Sequence, residues 1–264
     1  MPSQGPKLTL FRGWPDRGKY VASPFVTKLE FRLRHARLPY CVEAGSAKAA
    51  PKGKIPYVDL GALVAEDGSE EGSSRMGDST FIIQWLLGMG KIPDLNGELT
   101  VGQKLEDLAL RALLEEKLYF YHMRERWLEN FYTQRDTALY AIPYPVRVVV
   151  GYLVHRTVSS TLHGQGVGRL TAEEVRGLKT EIWQSIDSVL EQRLHGAHTA
   201  EEPVWILGGV QPSECDATLF GFIVSVLASD SAPGSKKLVK TFPAVIEYAR
   251  RIHNGLFPDY EVWA

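Results

Sequence analysis

The rhythm of apolar and polar positions changes once along this chain. Before about residue 90, short alternating runs sit between helically spaced ones; beyond about residue 98 the period stays near 3.6. Leu8-Thr-Leu-Phe11 alternates and stops at Gly13, which predicts a first strand. A loop rich in Gly, Pro and charge follows, to Ala22. Ser23-Pro24 then predicts a helix start, with Ser at the cap and Pro in the first turn. Phe25, Val26, Leu29, Leu33 and Ala36 fall at helical spacing. Strands are expected over Leu38–Glu43, Ile55–Leu60 and Ala62–Ala65, the last two paired across Gly61. Asp67–Arg75 reads as an acidic Gly/Ser loop. Asp78-Ser-Thr80 caps a second helix carrying Phe81, Ile82, Trp85 and Leu86.

The second half is expected to be all helical. Val101 to about Tyr132 forms one long helix or two, and Pro145–Leu162 another. Thr171-Ala-Glu-Glu174 is a capping box opening a helix to about His195. Ser213-Glu-Cys-Asp216 is a second such signal, before Ala217–Leu227, and Phe242-Pro243 opens a last helix to His253. The Gly/Pro-rich stretch from Gly88 to Gly97 separates the halves, giving units over 1–90 and 98–264.

Composition narrows the function classes. The chain has 264 residues, 44% hydrophobic and 23% charged, with 30 Lys+Arg against 31 Asp+Glu. These are the proportions of a globular protein, and near-zero net charge argues against general affinity for nucleic acid or an anionic membrane. Two cysteines, Cys41 and Cys215, make no disulfide framework and read as buried residues of a reducing compartment. The first seven residues lack the apolar core of a signal peptide, and the apolar run over Val146–Val158 is too short and too charged to cross a membrane. A cytoplasmic location is the expectation.

A β-α-β-β-β-α unit with a proline at the head of its third strand, joined to a helical half, resembles the glutathione transferase superfamily. Ser23-Pro-Phe-Val26, Lys54-Ile-Pro-Tyr-Val58, Asp78-Ser79 and Ser213-x-x-Asp216 carry the resemblance. It implies an α/β thioredoxin-like N-terminal domain plus an all-α C-terminal domain, the glutathione transferase fold. The words Ala22-Ser-Pro-Phe-Val-Thr-Lys-Leu-Glu30, Gly53-Lys-Ile-Pro-Tyr57 and Asp78-Ser-Thr-Phe-Ile-Ile83 are similar to the metaxin-like and failed-axon-connections-like branch. Members of that branch often carry Cys where this chain has Val26, so disulfide exchange is not expected.

The implied chemistry is transfer of the glutathione thiolate to small hydrophobic electrophiles, a detoxification reaction. A free thiol has a pKa of about 8.5, and only the thiolate attacks. Amides and the dipole at a helix start favour the anion, and a hydroxyl placed there adds a hydrogen bond. Ser23 is that hydroxyl by the resemblance, with Arg12, Trp14 and Tyr20 of the long loop as rivals. A cis bond before Pro56 would let the backbone of Ile55 pair with the cysteinyl part of glutathione. Asp78 and Ser79 would hold the γ-glutamyl end, and Lys54, with Lys52, the glycyl carboxylate. Trp14, Tyr119, His122 and Trp127 are expected around the second substrate. Ser213 and Asp216 are assigned to folding.

Glutathione is thus the expected co-substrate, with no metal, no nucleic acid, no transmembrane segment and a possible homodimer. The alternative is a non-catalytic metaxin-like adaptor or ligand-binding protein on the same fold. His163-Gly-Gln-Gly-Val-Gly168 lacks the Lys-Ser/Thr ending of a phosphate loop. His195-x-x-His198 has no third ligand beside it.

Overall fold

The structure is a computed structural model that describes residues 8–61, 63, 74–196 and 202–263. A small sheet forms from β1 (Thr9–Phe11), β2 (Cys41–Glu43), β3 (Tyr57–Asp59) and β4 (Arg75–Gly77), in the order β2-β1-β3-β4. β1 runs parallel to β2 and antiparallel to β3, which is antiparallel to β4. Helix α1 (Pro24–His35) crosses between β1 and β2, and α2 (Ser79–Gly88) follows β4. Leu29 and Leu33 of α1 and Ile82 and Leu86 of α2 pack on Leu8, Leu10 and Val58 of the sheet.

The fourth strand differs from the expectation. The stretch Ala62–Ala65 lies in part outside the described residues, and its described Leu63 turns back on Leu60 (N–H to O, 2.7 Å) and joins no strand. β4 comes instead from the end of the Gly/Ser-rich segment. Arg75 and Met76 carry little β signal, but the pairing Tyr57↔Gly77 aligns them beside β3.

A helical half packs on this layer. Thr100 and Gln103 cap α3 (Val101–Leu113) reciprocally. The same rod continues through a π-helical turn (Leu114–Leu118), α4 (Tyr119–Arg124) and a second π-helical turn (Glu125–Glu129), and breaks at Asn130. Then come α5 (Phe131–Ala138), α6 (Tyr144–Gly164) and α7 (Ala172–His195), with the expected capping box at Thr171 and Glu174. The last three are α8 (Glu214–Leu227), α9 (Pro233–Val239) and α10 (Pro243–Leu256). Sequence pattern leaves out α9, a short helix opened by Pro233.

Helix α8 is buried along its whole length and lies against α1. The approach is so close that a Cβ at Gly221 would stand 2.4 Å from the Pro24 carbonyl oxygen. Only glycine fits there. The start of α8 is held by Asp216, whose carboxylate accepts the Ser213 and Ile206 amides (2.8 Å each), the Ser213 hydroxyl (2.6 Å) and the Tyr248 hydroxyl (2.8 Å). Burial pushes this carboxyl up, and the four donors pull it back. Among the described residues no helix is long and apolar enough to cross a membrane.

Candidate functional site

Strand register assembles the site. Phe11 pairs with Tyr57 and Tyr57 with Gly77, so the three stand in one row across the sheet. The chain beyond each row member therefore emerges at one edge. The loop that leads to Ser23 leaves after Phe11; Ile55-Pro56 arrives before Tyr57; Asp78-Ser79 follows Gly77. The Phe11 and Tyr57 rings stack at 4.3 Å and tie the row together.

The Ile55–Pro56 peptide is cis. Among the described residues the backbone of Ile55 makes no hydrogen bond, so its N–H and carbonyl are open to an added strand. Its side chain lies 3.5 Å from where a Cβ on Gly13 would be, which places the first loop against it.

Ser23 occupies the cap position of α1 in extended conformation (φ −95°, ψ 114°), half-buried. Its hydroxyl makes no hydrogen bond to the helix. That corrects the expectation of a working side-chain cap: the first turn of α1 keeps unpaired amides, and the hydroxyl stays uncommitted. Phe25, two residues on, meets Tyr119 edge-on at 5.1 Å and Phe222 at 6.2 Å.

Asp78 sits at φ +80°, a left-handed conformation that costs a non-glycine residue on the order of 1–3 kcal/mol. Its carboxylate accepts the Thr80 amide at 3.0 Å. Ser79 is 4% exposed, and its hydroxyl has no partner among the described residues. Lys28, one turn into α1, donates to the Thr80 hydroxyl (3.4 Å) and to Glu115 (2.6 Å), joining the two helix starts.

The other expected site residues divide. Trp14 reaches from the first loop to the Thr137 carbonyl (Nε1 to O, 3.3 Å). Lys54 is exposed beside Ile55, while Lys52 lies over the Phe81 ring at 3.9 Å. Tyr119 faces the start of α1, its hydroxyl pushed up by burial. Trp127 is buried, against Phe131. His122 does not line a pocket. Its ring is enclosed between Trp183 and Phe222, and burial, then the charges of Arg126 and Lys179, hold it well below the usual histidine range.

The rivals to Ser23 are also committed elsewhere. Tyr20 bonds His253 Nδ1 at 2.8 Å inside a cluster of Phe220, Phe257, Tyr260 and Trp263, and burial pushes its phenol up. Arg12 is buried against Glu30 (3.5 Å) and holds the carbonyls of Asp16 and Lys19. Both shape the loop from within. Cys215 is buried and Cys41 half-buried, and both are free thiols. Among the described residues no group of three His, Cys, Asp or Glu side chains could hold a metal ion.

Residues 24–132 match the family model of the glutathione S-transferase N-terminal domain. The fold is that of the glutathione transferases. The chain is similar to glutathione transferase GSTFuA3 of Phanerochaete chrysosporium: 14% identity over 98% of this chain and 99% of that one, TM-score 0.57. Its likeness to GSTFuA2 of the same organism is comparable (12%, 96% and 99%, 0.56). A glutathione transferase family member from Pseudomonas fluorescens pf-5, solved with two glutathione bound, aligns at 14% identity over 97% and 95% of the two chains, TM-score 0.53. Arg126, which sequence pattern does not single out as a site residue, donates to the Ala22 carbonyl at 2.7 Å, directly before Ser23. Helical spacing alone reads it as one more charge on a long helix.

Proposed function

We propose that this chain binds glutathione at the edge formed by Ser23, Ile55-Pro56 and Asp78-Ser79, and transfers its thiolate to small apolar electrophiles. The observation that supports this reading best is the set of uncommitted groups on the segments that flank one row of the sheet. Among the described residues the Ser23 hydroxyl, the Ile55 backbone and the Ser79 hydroxyl are all without protein partners, on segments that leave or join the sheet at one edge. Buried polar groups are normally satisfied, so such a set suits a peptide ligand that brings its own donors and acceptors. The Ile55 backbone pairs with the cysteinyl unit. Asp78 and Ser79 take the γ-glutamyl end, Lys54 the glycyl carboxylate, and Ser23 donates to the sulfur anion. Trp14, Tyr119 and Trp127 bound the electrophile's side.

In this reading 1–90 is the glutathione-binding unit and 98–264 the helical one, the chain acts in the cytoplasm, and two copies associate. The test is binding of glutathione by calorimetry together with turnover of an aryl halide. Micromolar to millimolar affinity with turnover supports the proposal; a folded protein with neither overturns it.

A second reading, a non-catalytic adaptor of the metaxin-like branch, is favoured by α6. That helix exposes Val146, Val149, Tyr152 and Leu153 to more than half of their surface. Such a face suits a protein partner. A chain that leaves glutathione unbound and captures a partner through this helix, with capture lost in Val149→Asp, would establish it.

A further inference from the structure

Among the described residues Arg126 is a buried cation that makes no ion pair, although the Glu125 carboxylate attracts it from a distance. Only 6% of the residue is exposed. Nη1 donates to the Ala22 carbonyl (2.7 Å) and Nη2 to the Ser225 carbonyl of α8 (3.2 Å), while Nε is buried without a partner. Among the described residues no carboxylate stands within ion-pair distance of it. Its neighbour Glu125 is held by Lys179 at 2.5 Å and by Ser235. Tyr119 and His122 face it from the same rod, and burial keeps both neutral. Burial lowers the guanidinium itself to about 10, so at neutral pH it keeps its charge.

An unpaired buried charge is costly, and it persists where something balances it. Arg126 lies in the π-helical turn Glu125–Glu129, a backbone feature frequent at functional sites. The other π-helical turn of the rod carries Glu115, which takes Lys28 of α1. The two turns thus aim one charged side chain each at the first turns of α1, on either side of Ser23. The carbonyl that Arg126 grips belongs to the residue before the uncommitted hydroxyl.

We propose that Arg126 is a positioning residue for the anion held at Ser23: it fixes the Ala22-Ser23 backbone and supplies the unpaired positive charge that favours the glutathione thiolate. This rests on the glutathione reading above. The thiol proton leaves to solvent, the sulfur keeps the electron pair, and the bound anion balances the guanidinium.

The experiment titrates bound glutathione by thiolate absorbance in the full-length wild type, Arg126→Gln and Arg126→Lys, and measures affinity for glutathione and S-methylglutathione. Arg126→Gln is expected to raise the bound thiol's pKa by about one unit, lowering the thiolate-to-thiol ratio about tenfold at a given pH. It should weaken glutathione while leaving S-methylglutathione, which has no thiol to ionise, within about twofold. Lysine is too short to hold both carbonyls and sets its charge back from Ser23, so its rise is intermediate; it carries the test if the glutamine variant does not fold. An unchanged thiol pKa in the variants, or equal weakening of both ligands, overturns the role of Arg126 alone. A wild type that binds neither ligand overturns the glutathione reading and this inference with it.

Discussion

Two serines open the two helices that cross most closely in this protein, and they are used in opposite ways. Ser213 at the start of α8 is buried, and its hydroxyl and amide both donate to Asp216. Ser23 at the start of α1 is half-buried, and its hydroxyl bonds nothing in the helix it heads. Both sequences carry the same local cap signal. The difference lies three residues on: Asp216 reaches back to its serine, whereas Val26 at the matching place in α1 points into the core. A cap that satisfies its own helix has no capacity for a ligand; one that does not leaves an anion-binding turn open.

The comparison can be broken most severely at Asp216. Asp216→Ala removes the acceptor of four buried donors and is expected to cost about 3–5 kcal/mol, read as a fall in the urea midpoint at unchanged slope. Gly221→Ala drives a methyl against the Pro24 carbonyl and should cost about 1–3 kcal/mol by overpacking. Because the displaced strut is the first turn of α1, glutathione affinity should fall with stability in this variant. An Ala variant as stable as the wild type would mean that the helices separate freely.

Acid should act through His122. Its folded pKa lies below the unfolded value of about 6.5, so the native state binds fewer protons. The stability this neutral histidine contributes is present above pH 6.5 and is lost as pH falls below it, by up to about 1.4 kcal/mol per unit. His35 and His253 are depressed as well and add in the same direction. Denaturation of His122→Asn should show a flatter decline across that window than the wild type.

The mildest pair sharpens the contrast itself. Ser213→Ala should cost about 1 kcal/mol, as loss of a cap normally does. Ser23→Ala should change stability by less than about 0.5 kcal/mol, since no hydrogen bond is lost, yet slow aryl-halide turnover by tenfold or more, about 1.4 kcal/mol of barrier. Equal destabilisation by the two substitutions would mean that Ser23 is an ordinary cap.

What was legible in the chain was local. The capping box at Thr171 and Glu174, the helix starts at Pro24 and Pro243, and the polar cap Asp78 are signals that act over three or four residues, and each element begins there. Strand Arg75–Gly77 was not legible, because three residues of weak β propensity become a strand only when β3 offers them a partner. Nor was the fate of α1's polar residues. Lys28, Glu30 and Arg32 are buried because α1 is covered on both sides, and they pair with Glu115, Arg12 and Glu214. His122 and Tyr20 show the same failure among aromatic residues: pattern places them on a helix and in a loop without saying which surface closes over them.

Sequence by itself determined the order of elements, the change from alternating to helical period, and the positions of the four motifs along the chain, since each depends on neighbours within a turn or two. Tertiary structure decided which of those motifs share an edge, which serine is spent on its own helix, and that Arg126 ends beneath the start of α1. Strand register, helix crossing and burial join residues a hundred positions apart, and no periodicity within the chain encodes that distance.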